Sequence, residues 1–144
     1  MTVRQILTNK GTGVYGTSPD TSLRAALKEM AFRNVGSLLV LRDGKLVGIL
    51  TERGCLRTLA RLEEGDPLDL PVQRFMEPVE ATVAPDQEIW EAMTLMTQKR
   101  VRHLPVVEGG HLVGLISIGD VVYSLLNHQS VQIQELLNYI QGNP

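Results

Sequence analysis

The chain has 144 residues, of which 43% are hydrophobic and 21% charged, as is typical of a globular protein. Its 14 Lys and Arg residues against 16 Asp and Glu residues give a net charge of −2, which argues against a general nucleic-acid binder. Cys55 is the single cysteine, so no intramolecular disulfide can form. No apolar run approaches the ~20 residues that cross a bilayer, and residues 1–10 lack a signal-peptide core. We therefore predict a cytoplasmic protein without a membrane partner.

The first half of the chain predicts a helix, a β-hairpin and a second helix. Pro19-Asp20 precedes an apolar stripe with helical spacing, formed by Leu23, Ala26, Leu27, Met30 and Ala31. Two short apolar runs, 38–41 and 46–50, flank Asp43-Gly44, which predicts a hairpin whose turn needs positive φ. A second helix is predicted over about 52–63.

The second half repeats this pattern. Pro85-Asp86 follows Pro19-Asp20 at an offset of 66 residues, and the next thirty positions stay in register without a gap. The other identical pairs are Ala26/Ala92, Met30/Met96, Val35/Val101, Leu38/Leu104, Val40/Val106, Gly44/Gly110, Leu46/Leu112, Val47/Val113 and Gly48/Gly114. A second helix is predicted over about 118–128. The chain is therefore a tandem duplication of one β-α-β-β-α unit.

Segments outside the clear repeat complete the domain organisation. A polar segment over 63–67 places the boundary between the copies near 65–70, and residues 3–7 resemble residues 72–76, which suggests a lead-in to each copy. We predict a first repeat over 1–65, a second over 66–128, and a C-terminal helix and tail over 129–144. The tail has an apolar stripe and a predicted stop at Gly142; the stripe is Ile133, Leu136, Leu137 and Ile140. We interpret it as a contact between two copies of the chain, the alternative being a helix that lies back on its own subunit.

The duplication resembles the tandem cystathionine-β-synthase (CBS) domain pair, or Bateman module, from about Val3 to His128. Besides the repeat and the hairpins, the run from Gly114 to Asp120 matches the family pattern Gly-h-h-[Ser/Thr]-x-x-Asp, where h is apolar. The resemblance implies an α/β (α+β) fold of two units packed by pseudo-two-fold symmetry. It also implies a homodimeric regulatory protein, not an enzyme, that binds an adenine nucleotide in clefts between the copies. AMP or ATP is the expected ligand, with ADP, NAD and S-adenosylmethionine as further candidates, and no cofactor is required.

Ser117 and Asp120 have two interpretations. As a capping box, Ser117 would cap the following helix and Asp120 would accept a bond from the backbone of the cap residue. As a nucleotide site, the helix N-terminus would attract a phosphate; the resemblance assigns Asp120 to the ribose and Ser117 to the phosphate side. Gly119, Ile118 and Pro105 are additional candidates from the same copy, although core packing explains Ile118 and Pro105 equally well.

The first copy departs from the family pattern. Gly54 stands where the pattern has an acid, so the ribose anchor is missing, while Thr51 and Arg53 stay candidate phosphate ligands. Losing one charge-assisted hydrogen bond commonly costs about 1.5–3 kcal/mol. We therefore expect unequal sites, with the one at Asp120 the tighter.

A basic cluster, Lys99 to His103, points to the same copy. The resemblance places Arg102 and His103 towards ligand phosphates, whereas Gly36 and the candidate Ser37 stand at the matching uncharged positions. The alternative is a solvated helix end. Thr17 and Thr82 are predicted to end the first strands and to line the adenine, or else to be hydroxyls in water.

Other functions have weaker support in the sequence. The three histidines and one cysteine lack zinc-ligand spacing, and no P-loop, dinucleotide fingerprint or nucleophile elbow is present. The main hypothesis is a sensor that reports nucleotide occupancy to an unidentified protein target. The alternatives are a dimeric adaptor without nucleotide and, with only 4% aromatic residues for base stacking, a single-stranded nucleic-acid binder.

Overall fold

A computed structural model describes residues 1–11 and 13–141; the predicted helix stop at Gly142 lies outside them. The described elements in chain order are α1 (Val3–Lys10), β1 (Gly16–Thr17), α2 (Leu23–Arg33), β2 (Ser37–Arg42), β3 (Lys45–Thr51), α3 (Glu52–Arg61), two 3-10 turns (Pro67–Asp69 and Val72–Arg74), α4 (Ile89–Lys99), β4 (His103–Glu108), β5 (His111–Ser117) and α5 (Ile118–Ile140). They form a mixed α/β fold in which the predicted β-α-β-β-α order occurs in the first half, and in the second half with a single bridge at Val83 in place of the first strand.

The chain forms two compact units that do not follow the linear order of the repeats. The first unit is Gly13–Glu80, and the second combines α1 with the residues from Ala81 onward. The lead-in of each copy thus belongs to the unit of the other copy: Val72 and Phe75 are buried with α2 and β2, whereas α1 is buried with α4 and β4. The predicted limits 1–65 and 66–128 describe the sequence duplication, and the packing exchanges the lead-in segments.

The first unit is built on a three-stranded sheet in the order β1-β2-β3. β1 pairs in parallel with β2, and β2 pairs antiparallel with β3, with Ser37 opposite Thr51. Alternate residues of β2, Leu38 and Val40, point into a core that also contains Leu23 and Met30 of α2.

The second unit repeats this arrangement with one reduced strand. β4 pairs antiparallel with β5, with His103 opposite Ser117. Val83 makes a single parallel bridge to Val106, at the place where Thr17 of β1 pairs with Val40 in the first unit. Thr82 therefore precedes the bridge and lies outside any strand, unlike Thr17, which ends β1 as predicted.

Both hairpin turns have the positive φ angles that their sequences predict. Asp43 and Gly44 have φ of 51° and 79°, and Gly109 and Gly110 have φ of 57° and 80°. Two consecutive left-handed residues give a turn whose twist matches the flanking strands, and Gly and Asp tolerate that region best.

One prediction for the C-terminus was wrong. Residues 118–128 and the tail helix are one continuous helix of 23 residues, α5, instead of two elements. No Gly or Pro interrupts the sequence between Val121 and Ile140, so nothing stops the helix at residue 128.

Each lead-in is fixed by matching backbone hydrogen bonds. In the second unit, Val3 N–H donates to the Gln87 carbonyl (2.9 Å) and Ile89 N–H donates to the Met1 carbonyl (2.9 Å). In the first unit, Val72 N–H donates to the Thr21 carbonyl (2.8 Å) and Leu23 N–H donates to the Leu70 carbonyl (2.9 Å). The same connection, at the start of the first long helix of each copy, therefore holds both lead-ins.

A glycine in the second hairpin strand makes room for each lead-in. A Cβ at Gly114 would lie 2.6 Å from Cδ2 and 3.1 Å from Cδ1 of the buried Leu7 in α1, and a Cβ at Gly48 would lie 2.7 Å from Sδ of Met76. Contacts under 3.0 Å essentially never occur, so a side chain at either position would force Leu7 or Met76 to shift.

We predict that Gly114→Ala lowers the free energy of unfolding by about 1–3 kcal/mol, because the added methyl overpacks the contact with Leu7. Leu7→Ala alone should cost about 2–5 kcal/mol through the cavity that it leaves. Urea unfolding of both single variants and the double variant checks the contact. The double variant should lose less stability than the two single losses together. Strict additivity of the two losses would contradict the proposed contact.

Candidate functional site

The junction of β5 and α5 holds the main candidate residues. Ser117, the last residue of β5, caps α5: its Oγ accepts a bond from Asp120 N–H (3.1 Å), and Asp120 Oδ2 accepts one from Ser117 N–H (2.8 Å). The capping box predicted as one interpretation is therefore present. It fixes the Asp120 carboxylate and the Ser117 hydroxyl side by side at the start of the helix.

The start of β4 lies directly beside this junction. His103 is paired with Ser117 across the hairpin, and the Arg102 carbonyl accepts a bond from Ile118 N–H (2.9 Å). Arg102 is exposed and His103 is half-buried. The structure thus brings together Arg102, His103, Ser117, Ile118, Gly119 and Asp120, which the sequence separates by up to 18 positions.

Pro105 and Thr82 lie next to this group. Pro105 follows His103 by two residues in β4, so both side chains project from the same face of the strand. The Pro105 carbonyl accepts a bond from Val83 N–H (3.0 Å), which places the exposed Thr82 one residue from that contact. Pro105 therefore lies within β4, and Thr82 lies beside it, next to the bridge between Val83 and Val106.

The matching junction in the first unit contains Ser37 and Thr51. They form the end pair of β2 and β3, and Thr51 caps α3 by accepting a bond from Gly54 N–H (2.9 Å). Arg53 is exposed in the first turn of α3, and Thr17 pairs with Val40, away from this junction. The backbone geometry of the two junctions is equivalent, but their side chains differ.

Glu77 is a residue of this junction that the sequence comparison missed. It follows the second lead-in, and its carboxylate lies beside Gly54, where a Cβ would collide with it. The Thr51 hydroxyl donates to Glu77 Oε1 (3.4 Å), and Arg57 is 3.9 Å away. The junction therefore has an acid in spite of Gly54, supplied by another segment and touching the cap hydroxyl.

Lys10 is the corresponding missed residue in the second unit. The last residue of α1, it donates from Nζ to Asp120 Oδ2 (2.6 Å) and to the Leu115 carbonyl (3.0 Å). The sequence carries one signal for these two residues, which is their position. Lys10 and Glu77 each come shortly after one of the two similar lead-ins. The similarity of the lead-ins, residues 3–7 and 72–76, ends before either residue, so it does not identify them.

The pKa of Asp120 is lowered from its ordinary value of 3.8. Burial by itself would raise it, but the hydrogen bonds from Lys10 and from the Ser117 backbone stabilise the carboxylate and outweigh the burial. Asp120 is therefore an acceptor at neutral pH, with no proton to donate.

The described part of the chain contains neither a candidate metal site nor a candidate membrane-spanning helix. Among residues 1–11 and 13–141, no group of three or more His, Cys, Asp or Glu side chains could hold a metal ion. No helix within those ranges combines the length and the apolar character that a membrane crossing needs.

Cys55 is buried beside Glu77, and burial raises the pKa of its thiol to about 11, so it is protonated and unreactive at neutral pH.

Comparison with known proteins establishes the family. The model of the CBS domain matches twice, over residues 11–61 and 72–127, so the chain belongs to the CBS-domain family as a tandem pair. It is 34% identical over 150 aligned residues to the mitochondrial CBS domain-containing protein CBSX3 of Arabidopsis thaliana, covering 98% of this chain and 72% of that protein.

Solved structures share the fold. The crystal structure of the CBS domain NE2398 is 41% identical, with a TM-score of 0.82 over 88% of this chain and 98% of that chain. The crystal structure of CBSX2 in complex with AMP is 23% identical, with a TM-score of 0.71 over 88% and 97% of the two chains, a similarity of fold. The predicted family and fold class are confirmed.

We predict that Asp120 makes stability depend on pH at the acidic end. Because its folded pKa lies below the unfolded one, Asp120 stabilises the fold above the unfolded pKa of about 3.9, and this contribution is lost as pH falls through the folded pKa. Urea unfolding of the wild type and Asp120→Asn from pH 7 to pH 3 measures the difference. The gap between the two proteins should be constant above about pH 5 and shrink below pH 4. A gap that is the same at pH 3 and pH 7 would contradict this role.

Proposed function

We propose that this protein is a non-enzymatic sensor that binds an adenine nucleotide, AMP or ATP, at the start of α5. The observation that carries the proposal is the fixed group of Asp120, Ser117, Arg102 and His103 at the β4–β5–α5 junction. Asp120 accepts hydrogen bonds from the ribose hydroxyls, and Ser117 and Arg102 face the phosphate. Membership of the CBS family and the AMP bound by CBSX2, which has the same fold, support this choice of ligand.

The charges around the two junctions favour the second unit for an anionic ligand. Lys10 pairs with Asp120, Arg102 is an exposed residue whose carbonyl bonds to Ile118 of the same junction, and the N-terminal amides of α5 add partial positive charge. In the first unit, the Glu77 carboxylate touches Thr51, and the Glu52 carboxylate lies 3.4 Å from a Cβ position at Gly36. The Thr51 hydroxyl already donates to Glu77 and is not available to a phosphate, so the first junction binds nucleotide more weakly or stays empty.

Calorimetry on the full chain with AMP, ADP, ATP, NAD and S-adenosylmethionine tests the proposal. At least one of these should bind, and Asp120→Asn should weaken that ligand about 10- to 100-fold, the loss of one charge-assisted hydrogen bond of about 1.5–3 kcal/mol. The isosteric amide keeps an acceptor for Ser117 N–H, so the cap survives. Asp69→Asn, an exposed change in the first unit, is the matched control and should bind as the wild type does.

Each other outcome selects a different hypothesis. Absence of binding by all five ligands would overturn the sensor and favour the adaptor. Equal affinity of Asp120→Asn and the wild type would overturn the site assignment. Binding of a short single-stranded oligonucleotide at physiological salt would favour the nucleic-acid hypothesis.

We also propose that α5 joins two copies of the chain. Exposed apolar residues recur along it at alternating spacings of three and four, the pattern of a two-stranded coiled coil; they are Tyr123, Leu126, Ile133, Leu137 and Ile140, with Ser130 completing the series. Ile133 is 60% and Ile140 is 70% exposed in the single chain. A second copy covers this series of residues, the seam, with its own identical residues. The dimer would then pass occupancy of the nucleotide site to a protein target.

We predict that Ile133→Glu converts the dimer into a monomer, because it places two charges in the apolar seam. Sedimentation equilibrium over a concentration series measures the mass. Gln134→Glu adds the same charge to the adjacent position outside the seam and should leave the dimer intact. A wild type that is monomeric throughout, or an Ile133→Glu protein that still dimerises, would contradict the proposed interface.

The cytoplasmic location stays a prediction.

A further inference from the structure

The ion pair between Lys10 and Asp120 fills one oxygen of the carboxylate that the proposed function assigns to the ribose. Asp120 Oδ2 already accepts two hydrogen bonds, one from Ser117 N–H (2.8 Å) and one from the Lys10 ammonium (2.6 Å). The ammonium is also held by the Leu115 carbonyl (3.0 Å). The pair is accessible to a ligand, since the side chains of Lys10 and Asp120 are 36% and 23% exposed.

A ribose would use the same carboxylate as its hydrogen-bond acceptor. Its two adjacent hydroxyls donate two hydrogen bonds, and a carboxylate oxygen has lone-pair sites for about two donors. With Oδ2 filled by Ser117 and Lys10, the diol cannot bond to both oxygens of Asp120. The Ser117 bond is part of the helix cap and is fixed by the backbone, so Lys10 is the partner that can leave.

We propose that Lys10 competes with the ribose of a bound nucleotide for Asp120, so that binding releases the C-terminal end of α1. The inference rests on the proposed nucleotide site and adds an affinity-setting residue and a structural response to it. The ligand class is any ribonucleoside with a free 2′,3′-diol.

The response is confined to the last turn of α1. Val3, Ile6 and Leu7 anchor the helix in the core of the second unit and do not depend on Lys10. Beyond Leu7, the residues Thr8, Asn9 and Lys10 are exposed, and the two bonds of the Lys10 ammonium tie this turn to β5 and α5. Release of Lys10 therefore loosens the end of α1 while the rest of the helix stays packed.

By linkage, removing Lys10 must strengthen the binding of a ligand that has to displace it. A partly exposed ion pair of this kind opposes binding by a factor of about 1.5 to 5. Adenosine is the cleanest probe, because it carries the diol without a phosphate that the ammonium could attract.

Calorimetry with adenosine, and with AMP in parallel, tests the competition on the full chain. Lys10→Met keeps most of the aliphatic length and removes the charge, and it should bind adenosine about 1.5- to 5-fold more tightly than the wild type. Lys28→Met, an exposed lysine of α2 in the first unit, is the matched control and should bind with wild-type affinity. Hydrogen exchange then measures the release: saturating ligand should speed exchange at Lys10 and Gly11 in the wild type and have no such effect in Lys10→Met, whose helix end is already loose.

The outcomes separate this inference from the proposed function. Adenosine binding that is unchanged or weaker in Lys10→Met would overturn the competition and leave the nucleotide site standing, since the ammonium would then be neutral or itself a ligand contact. Slower exchange at Gly11 on binding would overturn the release. Absence of binding by adenosine, AMP and the other nucleotides in the wild type would overturn the proposed function and this inference with it.

Discussion

The contact between each lead-in segment and a glycine of the neighbouring hairpin fixes the position of the lead-in and of the site residue that follows it. Leu7 lies on Gly114 and Met76 lies on Gly48, at distances that leave no space for a side chain on either strand. Because these contacts fix where the lead-ins run, they also fix the residues that follow: Lys10 one helical turn beyond Leu7, and Glu77 immediately after Met76. The candidate site therefore depends on packing between apolar residues that touch no ligand.

The two junctions have equivalent backbone geometry, but the acid comes from a different segment in each. In the second unit, the helix start provides the acid, Asp120, and the lead-in provides the base, Lys10. In the first unit, the helix start has Gly54, and the lead-in provides the acid, Glu77. Gly54 is therefore more than a lost anchor, since its missing side chain is the space that the Glu77 carboxylate fills. The lead-in therefore supplies a base to the junction of the second unit and an acid to the junction of the first.

The duplicated fold could be predicted from the sequence because local signals agree with one another. Proline-aspartate starts, helical stripes and Asp-Gly or Gly-Gly turns occur in register in both copies, and they depend only on neighbouring residues. The capping box at Ser117 and Asp120 could be predicted for the same reason. The exchange of lead-ins could not, because residues 3–7 carry no local mark of which hairpin they pack against.

The site could be predicted only where its members lie in one run of sequence or follow the family pattern. Arg102 and His103 were found through the family, and their pairing with the Ser117 junction follows from the hairpin register. Lys10 is 110 positions from Asp120, and a lysine at the end of a helix is ordinarily explained by the helix dipole. The continuity of α5 has a different cause: the duplication ends near residue 128, but no residue there stops a helix.

The structural and the functional interpretations of Ser117 and Asp120 depend on the same atoms and are compatible. The cap uses Asp120 Oδ2 for the Ser117 amide, and the same oxygen also accepts a hydrogen bond from Lys10. The cap holds the acid in one position before a ligand arrives, so little conformational entropy has to be lost on binding. The ion pair in turn keeps the ionised carboxylate stabilised while no ligand is present. A ribose that takes the place of Lys10 exchanges one set of hydrogen bonds for another at a rigid acceptor. Affinity at such a site is then reduced by the strength with which the protein's own lysine is held.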